Sequence, residues 1–313
     1  MHDKYGEIGQ RLKAYRLGAG LTAEQVADQL GMSRAAVYRI EAGEVVKIET
    51  LERLAEVLRT SIASLLDVGV EYYPSALAYF ERMRQLEAEA EQVVAHFEPV
   101  SFLLTSPAYV GHLRQMLIES LPPDLTGRAE ALRAYEATLG VLAERKREFR
   151  QRRLSVVSFV VVAEIERFLE LGLIGRLDLP AEERLRRRAA ARAEVENLAR
   201  IMAEEPMGIQ IGLVDDALPN VTFQLFRAPG RTVVGLSPFR LGEQPNLRLG
   251  VASVTAAQEP VKLYTQLAND LWRRALKGVR GAAMLEELIR RTAPVPERAP
   301  PALAARPPRR ARS

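Results

Sequence analysis

The chain has no cysteine. That absence removes disulfides, thiol nucleophiles, iron–sulfur clusters and cysteine-ligated zinc sites together. Histidine is nearly as scarce: His2, His96 and His112 are the three in 313 residues, too few for a histidine-rich metal centre. Long apolar runs are missing as well. The longest nearly apolar stretch, Val156 to Ala163, falls far short of the ~20 residues that a membrane-spanning helix needs. The start, Met1-His2-Asp3-Lys4-Tyr5-Gly6, carries no apolar segment of the kind a secretory signal requires. Motifs of enzyme chemistry are absent too: there is no Walker-type glycine-rich loop, no His-Glu-x-x-His and no Gly-x-Ser-x-Gly elbow. These absences lead us to expect a soluble, cytoplasmic protein that binds rather than catalyses. They also lead us to expect no catalytic residues, no cofactor, no metal and no membrane partner.

What remains is ordinary globular composition, with 48% hydrophobic and 27% charged residues. At ~150 residues per domain the length suggests two domains. The net charge of +4 is unevenly placed: residues 1–68 hold nine Lys/Arg against ten Asp/Glu, whereas residues 293–313 hold five arginines and one glutamate. Nucleic-acid binding would therefore rest on a local face and not on bulk charge. Pattern and composition divide the chain into a helical block over 1–68, a short connection over 69–76, a large domain over 77–292 and an Arg/Pro-rich tail over 293–313. The tail is expected to be disordered.

In the large block, apolar spacing predicts helices over 77–97, 132–153, 164–171, 182–203 and 260–277. Strands are predicted over 155–162, 208–214, 221–226, 232–236 and 247–254, with residues 227–231 as a hairpin loop. That is a mixed α/β (α+β) domain. His96 and His112 fall in helical text and read as surface or satisfied histidines. Asp215-Asp216 reads as a turn ahead of Pro219-Asn220. The densest basic cluster is Arg145-Lys146-Arg147 with Arg150, Arg152 and Arg153. It reads as a solvated helix face paired with Glu144 and Glu148, with contact to DNA backbone as the alternative. The tail arginines (Arg306, Arg309, Arg310, Arg312) add either non-specific DNA attraction or only a solvated end. Phe223, Phe226, Phe239 and Trp272 suit an apolar sensor pocket by residue type, but core packing is the expected role of such residues.

Residues 5–67 read as five short helices. Gly18 and Gly20 end the first. Thr22-Ala23-Glu24-Gln25 is a capping box that starts the second. Gly31 supplies the turn, because glycine takes a left-handed backbone at little cost, and Ser33 caps the third helix. Two short helices joined by a glycine turn are what a helix-turn-helix unit requires. At ~100° per residue, with Arg34 set to zero, Tyr38 lies near 40°, Ala42 near 80°, Ala35 near 100° and Arg39 near 140°. Ser33, Ala36, Val37 and Ile40 cluster on the other side. One face of this helix therefore packs inward, and the other presents two arginines, an aromatic and small residues, which suits a DNA major groove.

Residues 8–67 resemble the Cro and phage-repressor (XRE-type) helix-turn-helix domain. The resemblance runs through Ile8-Gly9-x-Arg11-Leu12-x-x-x-Arg16, Leu21-Thr22-x-Glu24-Gln25-Val26-Ala27, Gly31-Met32-Ser33-Arg34, Val37-x-x-Ile40-Glu41-x-Gly43 and Leu51-x-x-Leu54-Ala55-x-x-Leu58. It implies a five-helix, lambda-repressor-like domain that binds double-stranded operator DNA as a homodimer, with residues 33–42 as the recognition helix. Thr22, Gln25, Ser33, Arg34, Ala35, Tyr38 and Arg39 would be the DNA-binding residues. The resemblance also implies that Glu41 pairs with a first-helix arginine, either Arg11 or Arg16. Ala23 stands where many members carry a glutamine that touches DNA backbone. The segment 77–290 resembles the domain of unknown function found in actinobacterial-type helix-turn-helix regulators, through Glu98-Pro99, Leu103-Leu104-Thr105 with Tyr109, and Arg147-Glu148-Phe149-Arg150-Gln151. It implies dimerisation or sensing of a small-molecule or protein effector. The expectation is a transcriptional regulator. The alternatives are an antitoxin-like or other protein-interaction module whose large domain binds a partner protein, a helical hairpin used only for protein contacts, and an enzyme carried by a DNA-targeting domain.

Overall fold

Five helices open the chain: α1 (Lys4–Gly18), α2 (Ala23–Leu30), α3 (Arg34–Glu41), α4 (Ile48–Val57) and α5 (Ile62–Leu66). The ends of α2 and α3 are chemically marked. The Thr22 hydroxyl accepts from the Gln25 amide at 3.1 Å, and the Gln25 side chain accepts from the Thr22 amide at 2.8 Å, so the capping box is closed. Gly31 (φ 66°) turns the chain after α2, and the Ser33 hydroxyl caps α3 by accepting from the Ala36 amide at 3.2 Å. The computed structural model describes residues 4–66, 69–152, 154–216 and 222–292. Asp67, Val68, Arg153, Pro219-Asn220, Val221 and the tail over 293–313 lie outside the described residues. The expectations for the domain boundary at 68 and for the tail arginines lie there with them.

A mixed α/β domain follows. Its elements are β1 (Glu71–Tyr73), α6 (Ala76–Glu89), β2 (Gln92–His96), α7 (Tyr109–Ser120), α8 (Arg128–Gln151), β3 (Ser155–Val161), α9 (Val162–Leu171), α10 (Ala181–Glu204), β4 (Ile209–Val214), β5 (Thr222–Ala228), β6 (Arg231–Ser237), β7 (Ala252–Thr255), α11 (Gln258–Arg274) and α12 (Gly278–Arg291). The seven strands form one sheet in the order β1-β7-β6-β5-β2-β3-β4. The strands β2, β3 and β4 run parallel and are joined through helices, as parallel neighbours must be. The other pairings are antiparallel. Among the described residues no helix is long and apolar enough to cross a membrane.

The structure corrects several expectations. Residues 77–97 are not one helix: α6 ends at Glu89, and Gln92 to His96 form the interior strand β2. The run Val93-Val94-Ala95-His96-Phe97 is apolar on both sides because β2 is covered on both faces. Such a run cannot be told from a buried helix segment by spacing alone. His96 therefore sits in a strand and not in a helix. Residues 69–76 are not a free connection, because they supply edge strand β1, with Glu71 and Tyr73 buried and Tyr72 exposed. The last strand covers 252–255, shorter than 247–254, because the Asn246 side chain accepts from the Arg248 and Leu249 amides and turns the chain before it. A further helix, α12, follows α11. Phe223, Phe226 and Phe239 are core residues with at most 2% exposure, while Trp272 is partly buried on α11.

The basic cluster is not a uniform solvated face either. The Arg145 guanidinium turns inward to form two hydrogen bonds to Glu87, at 2.9 and 2.6 Å. Lys146 is buried, whereas Arg147 remains outside beside Glu144 at 3.1 Å. A helix packed on one side draws in the cations on that side when carboxylates or carbonyls meet them.

The N-terminal helices and the sheet share one apolar core. Helix α1 lies along α6 closely enough that a Cβ at Gly18 would sit 2.4 Å from that of Ala78. The Tyr15 ring stacks on Tyr73 at 4.7 Å. The Tyr15 hydroxyl donates to the Tyr72 carbonyl at 3.0 Å. Glu71 is the polar centre of this junction. It accepts two hydrogen bonds from Arg82, each at 3.0 Å, and one from the Tyr73 hydroxyl, and Arg11 approaches to 3.6 Å. Arg231 of β6 reaches Glu7 of α1 at 2.5 Å. The helical unit is thus clamped to the sheet edge.

His96 is 2% exposed, and neither ring nitrogen has a hydrogen-bond partner; Glu98 lies 3.9 Å from Nε2. Burial pushes its pKa below the ordinary 6.5, with the Phe159 backbone and then Glu164 pulling the other way. An unfolded chain binds a proton near that ordinary value before the folded chain does, so this group's contribution to stability falls as pH drops through about 6.5. The urea midpoint of the wild type is expected to fall more between about pH 7.5 and about pH 5.5 than that of His96→Leu. Burial holds Glu98 and Glu243 above the usual carboxylate range. Both groups remain in each protein, so the difference reports the histidine together with its coupling to Glu98. Equal slopes would contradict the assignment.

Candidate nucleic-acid interface

Helices α2 and α3 meet across the Gly31 turn, and their apolar residues settle which face of α3 stays outside. Val37 is 3% exposed, and Ala36 and Ile40 are partly buried against the core. Arg34, Ala35, Tyr38 and Arg39 are all exposed and lie together on the outer face, as the wheel geometry places them. Arg34 Nη2 donates to the Tyr38 hydroxyl at 3.2 Å, and its guanidinium carbon lies 5.3 Å from the Tyr38 ring centroid. One helical turn separates the two, so they form a pre-ordered pair. The hydrogen bond raises the Arg34 pKa further above its already high ordinary value, which keeps the charge fixed. Arg39 is held differently: its Nε lies 3.0 Å from Glu44, and both groups are solvated. A pair this exposed is worth at most ~1 kcal/mol, so an incoming phosphate can displace it.

Thr22, Gln25 and Ser33 sit at the starts of α2 and α3, and all three are exposed. Their acceptors are committed to capping. Each hydroxyl keeps its own hydrogen to donate outward, and the two helix N-termini carry partial positive charge. Ala23 is 3% exposed and packs inward, so its side chain contributes to the core of the helical unit.

Two contacts hold α3 from behind. Glu41 receives a two-pronged contact from Arg16, at 2.5 and 3.0 Å, and Arg16 also donates to the Leu21 carbonyl at 3.0 Å. The resemblance left Arg11 or Arg16 as the partner of Glu41, and the structure selects Arg16. Arg11 instead donates to the Leu65 carbonyl at 2.8 Å and faces Glu7 and Glu71. Gly9 lets α1 approach the end of α3, since a Cβ there would lie 2.4 Å from the Glu41 carbonyl oxygen. The pose of α3 is therefore tied to α1, and α1 to the sheet.

Sequence reasoning missed Glu44 as the partner of Arg39, and it missed the exposed Val45 (67%) and Ile48 (66%) beside the end of α3. Gly43 was a sufficient signal that Glu44 to Lys47 form a loop next to α3. It carried no information about which side chains that loop leaves bare. Among the described residues no group of three or more His, Asp or Glu side chains has metal-binding geometry. The exposed pair Asp215-Asp216 instead places Asp216 against Arg274. Residues 7–67 match a family of helix-turn-helix domains, which covers less than a quarter of the chain. No curated protein matches the sequence.

Proposed function

We propose that this chain is a sequence-specific, DNA-binding transcriptional regulator that places α3 in the major groove of operator DNA as a homodimer. The observation that carries this reading is the outer face of α3. Arg34, Ala35, Tyr38 and Arg39 project together from a helix whose other side, centred on the buried Val37, packs inward. Arginine reads guanine with two hydrogen bonds or holds phosphate, and the small Ala35 lets the backbone come close. Thr22, Gln25 and Ser33 would flank the groove as phosphate contacts at helix N-termini. The mechanism is equilibrium binding and not turnover. The α/β domain would set the spacing of the two recognition helices and receive an effector. Two half-sites then lie about 34 Å apart, one turn of DNA.

Hydroxyl-radical footprinting on a selected fragment tests this. The expected pattern is two protected half-sites on one face of the duplex, related by a two-fold axis. Protection of a single site without symmetry would contradict the homodimer. The second reading, a protein-interaction module, is favoured by the bare Val45 and Ile48 next to α3. It predicts no protected site and a stable heteromer in its place.

A further inference from the structure

The basic cluster at the end of α8 borders a solvent-open groove of about 520 Å³ against the start of α7. One wall is apolar: Pro107 just ahead of α7, Val110 from its first turn, and Ala143 from α8. The other wall is cationic, formed by Lys146, Arg147 and Arg150, with Gln151 at the rim. A volume of this size lies within the ~300–1,000 Å³ typical of small-molecule sites, which combine apolar walls with a few placed polar groups.

Lys146 is 4% exposed, yet its ammonium meets only neutral acceptors, the Thr105 hydroxyl and the Ser106 carbonyl, each at 2.6 Å. Burial pulls its pKa down to about 8, Arg150 pushes it the same way, and Glu194 pulls it back. Glu194 is itself committed to Ser106, whose amide and hydroxyl both donate to it. Among the described residues Arg150 has no carboxylate within ion-pair distance. A recessed ammonium whose direct partners are all neutral is costly; Glu194 offsets it only from beyond hydrogen-bond reach, and an anion in the groove would add a counter-charge in direct contact. The α7 N-terminus adds to the field, since Ala108 gives it no side-chain cap.

We propose that this groove binds a small organic acid, with its anionic group among Lys146, Arg147 and Arg150 and its apolar body on Pro107, Val110 and Ala143. A DNA backbone fits less well, because Lys146 is too recessed to meet a duplex and the facing wall is apolar. Reading the acid as an effector rests on the regulator function proposed above.

The test is calorimetry on the full chain without DNA, using octanoate and 1-naphthalenesulfonate as probes and 1-octanol as the neutral control. Both acids are expected to bind with one site per chain and a dissociation constant of roughly a millimolar or below. Octanol is expected to bind at least about tenfold more weakly. Arg147→Glu/Arg150→Glu changes only exposed positions and so keeps the fold. It is expected to weaken acid binding by about tenfold or more. The site is overturned if neither acid binds, if octanol binds as well as octanoate, or if the double variant binds unchanged. Because no DNA is present, failure here leaves the α3 reading intact, and failure of α3 to bind DNA leaves this result intact.

Discussion

Glu71→Ala is expected to lower the unfolding free energy by about 3–5 kcal/mol, the range for removing one partner of a buried ion pair. Glu71 and Arg82 are each 1% exposed, and the same carboxylate accepts from the Tyr73 hydroxyl and faces Arg11. Without it, Arg82 and Arg11 lose their shared counter-charge inside the protein. The loss falls on the seam between the helical unit and the sheet, so it also frees α1. Urea unfolding followed by far-ultraviolet circular dichroism, and by fluorescence of Trp272, the single tryptophan, measures both effects. In the wild type the two transitions should coincide, because the helices and the sheet share a core. In Glu71→Ala the midpoints should fall, with the circular dichroism change beginning first. A shift of less than about 1 kcal/mol would show that Glu71 is not the centre of the seam.

The second large effect is at Arg34, and its form distinguishes two contacts. If Arg34 reads a guanine, Arg34→Ala should cost about 1–3 kcal/mol and relax preference at one base position per half-site. If it holds a phosphate, affinity should fall evenly across sequences, and the salt dependence should lose about one counterion per site. Tyr38→Phe removes only the hydroxyl that Arg34 donates to. It should produce a smaller loss of the same kind, because the guanidinium is then less firmly placed. Titrations at several stated salt concentrations separate these outcomes. No change in any of them would remove Arg34 from the interface.

The N-terminal helices were legible because their signals are local. Thr22, Gln25, Gly31 and Ser33 each act within three or four residues through a hydrogen bond or a backbone angle, and the apolar stripe of α3 follows one period. The inward and outward faces of α3 could be read for the same reason. What could not be read depends on distant partners. Gln92 to His96 are a strand because β5 and β3 flank them from far along the chain. Glu71-Tyr72-Tyr73 is too short to show a period and is a strand because of β7. Arg145 and Arg147 look alike in sequence, but Glu87 draws one inward and leaves the other outside. The choice between Arg11 and Arg16 for Glu41 was likewise decided by packing, since the first helix turns Arg11 toward the sheet edge.

The most direct test of the central claim is selection of sheared DNA from the source genome, at a stated salt concentration, by the wild type and by Arg34→Ala/Arg39→Ala. Both positions are exposed, so the variant should keep its fold, which its unfolding curve can verify. The account predicts that the wild type enriches a two-fold symmetric sequence with half-sites one DNA turn apart, and that the variant loses the enrichment. Enrichment of the same sequence by both proteins, or by neither, would contradict the assignment of the outer face of α3 as the DNA-reading surface.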